Sequence, residues 1–213
     1  MACFITFEGI EGCGKTTQVR LLARLLTSRG HTVTVTREPG GCSIADQVRA
    51  ILLDAENRAL VPLSELLLYA AARAQHVEEV IRPALAAGNV VICDRFTDAT
   101  VAYQGYGRSL DLDLIGRLNR IATGGITPDL TVLLDCPEET GLARAMERIN
   151  ACAGAREERF EQESLRFHRA VRQGYLRLAV AEPHRFIVLD ATRCIDETAA
   201  EISGEILARL AQG

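Results

Sequence analysis

Residues 9–16 read Gly-Ile-Glu-Gly-Cys-Gly-Lys-Thr and fit the spacing G-x-x-x-x-G-K-[ST]. Glycines at those positions let successive backbone amides turn inward around an anion, and a helix opening at the lysine adds its N-terminus to the same charge. Lys15 would reach the terminal phosphates of a bound nucleotide, and the Thr16 hydroxyl would ligate Mg²⁺. Gly9, Ile10, Glu11, Gly12, Cys13, Gly14, Lys15, Thr16 and Thr17 thus form a candidate phosphate cradle. Glu11 is its oddity. Like charges about 4 Å apart repel by roughly 4 kcal/mol at an effective dielectric near 20. An acid here must either turn away from the phosphates or sit solvated.

Two further stretches carry charges that suit phosphate chemistry. In TREPGG (36–41), Arg37 ends an apolar run and a glycine pair then turns the chain. Its guanidinium could grip a second phosphate in a two-pronged hydrogen bond; an ion pair with Glu38 competes with that reading. In CDRF (93–96), Asp94 stands where an acid holds Mg²⁺ directly or through water, and Arg95 could clamp a phosphoryl group in transfer. A structural salt bridge is the rival there. Tyr69 and Arg73 are four apart and share a helix face. A ring and a guanidinium together could stack on a base and bond its carbonyl, or they could be a core tyrosine and a solvated arginine. Thr100, Tyr103 and Gln104, in TVAYQGYG, offer groups to a base edge or form a polar surface turn.

Positioning these residues takes strands that end beside one another. Five β-rich runs recur, at 3–7, 31–36, 89–93, 130–134 and 185–189. Helical periodicity fills the gaps: after the glycine loop, around 44–52, then 63–87, 111–122, 138–150, 157–181 and 195–210. Strands alternating with helices imply a parallel sheet covered on both faces, with ligands at the carboxyl ends of the strands. The 213 residues suit one domain. The guanine signature Asn-Lys-x-Asp is absent, and the one Asp-x-x-Gly (113–116) lies in a helical pattern, which excludes a signalling GTPase.

A net charge of −4 and the absence of Trp argue against nucleic-acid binding. No apolar run approaches the roughly 20 residues of a membrane span. The seven scattered cysteines, none in Cys-x-x-Cys, suit reduced thiols in a cytoplasmic protein.

FEGIEGCGKTT, TREPGG, YAAARAQHV with IRPAL, CDRF with AYQG, PDLTVLLD and ERFEQES, in that order, resemble the bacterial thymidylate (dTMP) kinases over nearly the whole chain. The resemblance implies a three-layer P-loop NTPase fold, with a five-stranded parallel sheet and an Arg-rich lid at about 144–160. It implies transfer of the γ-phosphoryl group of ATP to dTMP with Mg²⁺, by a homodimer. In that family Arg37 and Arg95 would hold the acceptor phosphate, and Tyr69 would stack on thymine where Phe is usual. Arg73, Thr100 and Gln104 would meet the base edge, Tyr103 would disfavour a ribose hydroxyl, and Glu11 would meet the 3′-hydroxyl or bound water and magnesium. No arginine stands in the phosphate loop, so Arg148, Arg156 and Arg159 are candidates to neutralise the transferring group, and Arg144 would lie against adenine. An exposed helix with paired charges is the alternative for that stretch. The rival functions are a kinase for another nucleoside monophosphate, a small P-loop ligase or synthetase, and a regulatory module that binds nucleotide without turnover.

Overall fold

Why five short apolar runs form one sheet is visible in how they are buried. In the computed structural model, which describes residues 2–151 and 159–210, every residue of β1 (Cys3–Glu8) is buried. β3 (Val90–Asp94) and β4 (Leu130–Asp135) are buried but for their last residue. Near-continuous hydrophobic strands are what a parallel sheet covered on both faces requires. With β2 (Val33–Arg37) and β5 (Phe186–Asp190) at the edges, the strands are all parallel, in the order β2-β3-β1-β4-β5. Successive side chains alternate between faces. Ile5, Phe7, Ile92 and Val132 join a core with Leu22, Leu26, Val171 and Ile206. Phe4, Val91 and Cys93 pack instead with Val77, Ile81 and Phe96.

The helices are α1 (Lys15–Ser28), α2 (Ser43–Leu53), α3 (Pro62–His76), α4 (Arg82–Ala86), α5 (Thr97–Thr100), α6 (Leu112–Thr123), α7 (Glu138–Ala151), α8 (Leu165–Ala181) and α9 (Ile195–Leu210). Three differ from expectation. The long 63–87 helix is interrupted by a π-helical turn, Val77–Ile81, between α3 and α4. Pro83, which cannot donate to the carbonyl four residues back, follows at once. The AYQG stretch is not a surface turn. It continues α5 as a π-helical segment, Val101–Gly107, with Ala102, Tyr103, Gln104 and Gly105 buried. Finally, α8 starts at Leu165 and not near 157, because the Ser164 side chain caps it by accepting from the Phe167 amide at 3.3 Å.

Strand register gathers the chemistry at one edge. Arg37 and Phe7 both stand opposite Asp94, so the ends of β2, β3 and β1 open together beside the glycine loop.

Candidate active site

Gly14 caps α1 in the left-handed region, at φ 92°, and a side chain added there would point into open space. That leaves the helix N-terminus accessible to an anion. Gly12 is the opposite case. A Cβ on it would lie 2.0 Å from the Gly141 carbonyl oxygen on α7. Lys15 folds back, donating to the Gly9 and Ile10 carbonyls at 3.1 and 2.8 Å and approaching Cys13 Sγ at 3.4 Å. Ile10 and Cys13 turn their side chains into the core, so they serve the loop through their backbone. Thr16 Oγ1 donates to Asp94 Oδ2 at 3.0 Å. A hydroxyl and a carboxylate side by side are hard oxygen donors that fit Mg²⁺, which takes one or two side chains and completes its shell with water and phosphate oxygens. Among the described residues no cluster of three or more His, Cys, Asp or Glu could cage a metal by itself.

A cleft of about 610 Å³ opens above the sheet edge, lined by eight cationic side chains and four carboxylates on a chain of net charge −4. Glu11, Lys15, Arg37, Tyr69, Arg73, Asp94, Arg95, Thr100, Tyr103 and Gln104 all face it. Arg95 has φ 72°, a left-handed conformation costing on the order of 1–3 kcal/mol. Its amide donates to the Phe7 carbonyl at 2.9 Å. Its guanidinium donates to Glu11 Oε1 at 3.0 Å and to the Tyr175 hydroxyl at 3.1 Å, and lies over the Tyr103 ring. The Tyr103 hydroxyl donates to the same Glu11 oxygen at 2.5 Å. Burial opposes ionisation of Glu11, but His168, Arg95, Lys15 and Tyr103 outweigh it and hold the carboxyl down at about 2. Glu11 is therefore not solvated; Arg95 and Tyr103 clamp it at the edge of the cleft.

Arg73 is not a solvated arginine. It is 2% exposed and donates from Nε to Glu38 Oε2 at 2.7 Å, from Nη1 to Thr100 and Asn119, and from Nη2 to the Phe96 carbonyl. Four of its five N–H groups are thus taken, leaving one on Nη2 for a ligand. Glu38 also meets His76 Nδ1 at 2.9 Å, and His76 Nε2 meets Thr36 at 2.6 Å. Arg37 therefore does not pair with its neighbour Glu38. It is half exposed and touches Asp46 at 3.1 Å. Gln104 donates to Glu65 Oε1 at 2.8 Å. Because a carboxylate can only accept, this fixes which end of the amide is nitrogen.

The lid arginines separate. Arg148, on α7, is exposed, lines the cleft and lies 3.8 Å from Glu161. Arg159 does not line it. Its guanidinium is bound to Glu65 Oε2 at 2.7 Å and to the Leu52 carbonyl, stacked over Phe160. The structure thus turns this guanidinium to Glu65 and Leu52 and not into the cleft. Arg156 lies outside the described residues. Arg144 donates to the Ala191 carbonyl at 3.0 Å and borders a second cavity of about 280 Å³, shared with Gly14, Thr17, Gln18 and Thr198. That cavity shares Gly12, Gly14, Thr17 and Arg144 with the larger cleft.

Several site residues escaped the sequence reading: Glu8, Glu38, Glu65, Arg49, Glu161, His168 and Tyr175. Glu8 is fully buried, accepting from the Phe96 amide at 2.7 Å and the Tyr175 hydroxyl at 2.8 Å. Burial, then the charge of Asp98, push its carboxyl up to about 8.

The profile of the thymidylate kinase family matches residues 7–202. A thymidylate kinase of Geotalea uraniireducens is 68% identical across the full length of both chains. One of Geobacter sulfurreducens is 64% identical over 99% of each. The crystal structure of a thymidylate kinase from Ehrlichia chaffeensis, 35% identical, superposes with a TM-score of 0.77 over 97% of this chain and 98% of that one.

Proposed function

The chain belongs to the thymidylate kinase family and transfers the γ-phosphoryl group of ATP to dTMP, and on that premise we propose the residues that carry the transfer. ATP lays its phosphates in the loop 9–16 against Lys15 and the start of α1, with adenine in the cavity bordered by Arg144 and Ala191. dTMP occupies the larger cleft. Tyr69 stacks on the base, the remaining Nη2 donor of Arg73 meets its carbonyl, and Gln104 and Thr100 complete the edge. Tyr103 stands beneath the sugar, Glu11 takes the 3′-hydroxyl, and Arg37 and Arg95 hold the acceptor phosphate.

The reaction needs no covalent intermediate. Positioning and charge neutralisation suffice. Thr16 and Asp94 would hold Mg²⁺, which supplies charge neutralisation across the donor phosphates. Arg95 is fixed on the acceptor side by Glu11 and Tyr175, so its guanidinium is already aligned before substrate arrives. Arg148 is placed to close from the lid side.

The observation that carries this reading is the clamp on Arg95, a strained backbone held by three contacts beside the phosphate loop. We also read the protein as a cytoplasmic homodimer. Leu63 and Leu67 on α3 are about half exposed and support a packing face, whereas Leu66 is buried and belongs to the core. ADP release with ATP and Mg²⁺ against a panel of nucleoside monophosphates tests the assignment. Selective turnover of dTMP is expected, and preference for any other base would overturn the base pocket.

A further inference from the structure

α8 turns one face toward Glu11 and Arg95 from behind the cleft, and His168, Val171 and Tyr175 lie along it at i, i+3 and i+7, all buried. Tyr175 is accounted for by Arg95 and Glu8. His168 is not. It has no exposed surface, and neither ring nitrogen has a hydrogen-bond partner. Its Nδ1 stands 3.4 Å from Glu11 Oε2, which is itself buried and without a partner. A polar ring left unpaired in a core is costly, and the acid beside it, Glu11, has its other oxygen already fixed by Arg95 and Tyr103.

We infer that His168 is the positioning residue for the second oxygen of Glu11: its Nδ1–H orients Oε2 toward the sugar of the acceptor. The inference rests on the reading that Glu11 takes the 3′-hydroxyl. His168 does not line the cleft and touches no substrate. It acts through Glu11, from behind. With Arg95 and Tyr103 on one oxygen and His168 on the other, the carboxylate cannot rotate, and the lone pair it shows to the sugar is set before binding.

The test is a cycle between residue and substrate, comparing dTMP with its 3′-deoxy analogue. In the native enzyme, kcat/KM is expected to favour dTMP. His168→Phe, which fills the same space without nitrogen, is expected to lower kcat/KM for dTMP roughly tenfold. It should leave the 3′-deoxy acceptor and the KM for ATP within twofold. His168→Asn, whose amide replaces Nδ1–H, should restore most of the loss. Equal losses on both acceptors, or no rescue by Asn, overturn the inference. Glu11→Gln separates the two readings. If it leaves the preference for dTMP intact, the sugar-facing role of Glu11 falls and ours falls with it. If it abolishes the preference while His168→Phe does not, only His168 is wrongly assigned. Should the Phe variant not fold, ¹⁵N spectra of the native protein decide between the tautomers. A protonated Nδ1 that shifts in Glu11→Gln supports the inference, and a bare Nδ1 overturns it.

Discussion

The proposed acceptor cleft and the proposed donor side are built from different materials. Around the acceptor, buried carboxylates hold the functional groups. Glu38 holds Arg73, Glu65 holds Gln104, and Glu11 holds Arg95 and Tyr103. On the donor side the work falls to backbone amides, a lysine that folds onto its own loop, and the exposed arginines 144 and 148. A charge pair inside the protein is tightly oriented but loses much when one partner goes. A loop of amides needs no partner other than the anion. On the proposed assignment, the acceptor site is preset by its own ion pairs, whereas the donor site relies on the anion itself.

Substitutions can break or sharpen that contrast. The largest effect belongs to Arg95→Ala, which should cut kcat/KM for dTMP by roughly 10³–10⁵ in steady-state assays while ATP affinity, read by calorimetry, holds. Arg73→Leu comes next. It leaves Glu38 buried without its main partner, so urea denaturation should show a loss of about 3–5 kcal/mol, together with a raised KM for dTMP. If that loss were no larger than for a donor-side arginine, the contrast between the two sides would fail.

Two carboxylates three residues apart sharpen it further. Glu11 has its pKa lowered on folding to about 2, so the stability it contributes is present above its ordinary value near 4.5 and is lost as pH falls toward 2. Glu8 has its pKa raised to about 8, so its contribution is full below 4.5 and is lost as pH rises through 8. Stability measured against pH should thus slope upward at the acid end and downward between about 4.5 and 8, and Glu8→Gln should flatten only the second slope. The smallest effect is expected of Arg144→Ala: a several-fold rise in KM for ATP, seen in initial rates, with unfolding free energy changed by less than about 1 kcal/mol.

What the sequence made legible divides along the same line. The phosphate loop was readable because its spacing dictates its own backbone, and the sheet because each strand is an unbroken apolar run. The family resemblance then named Arg37, Tyr69 and Gln104, which do face one cleft. The buried carboxylates stayed hidden. Glu65 lies 39 residues from Gln104 and 94 from Arg159. Nothing local distinguishes it from an acid on a solvated helix face. The contacts of Arg159 were hidden for a related reason: composition shows an arginine near a lid, but only packing against Phe160 and Leu52 decides which way its guanidinium turns. His168 sat unremarked in an amphipathic helix, since a core histidine and a positioning one look alike in a pattern.

The contact between Gly12 and Gly141 has a mechanical consequence. A Cβ on the first would collide with the carbonyl of the second, and one on the second would lie 2.5 Å from the Glu11 carbonyl. The phosphate loop and α7, which bears Arg144 and Arg148, thus meet at two glycine backbones, with the Ile10 side chain packed against the second. Such a joint is stiff against compression, because neither glycine leaves room for the backbones to approach further. Loop and helix are thereby held at one fixed spacing, so a displacement of α7 at that point is passed straight to the backbone of the loop.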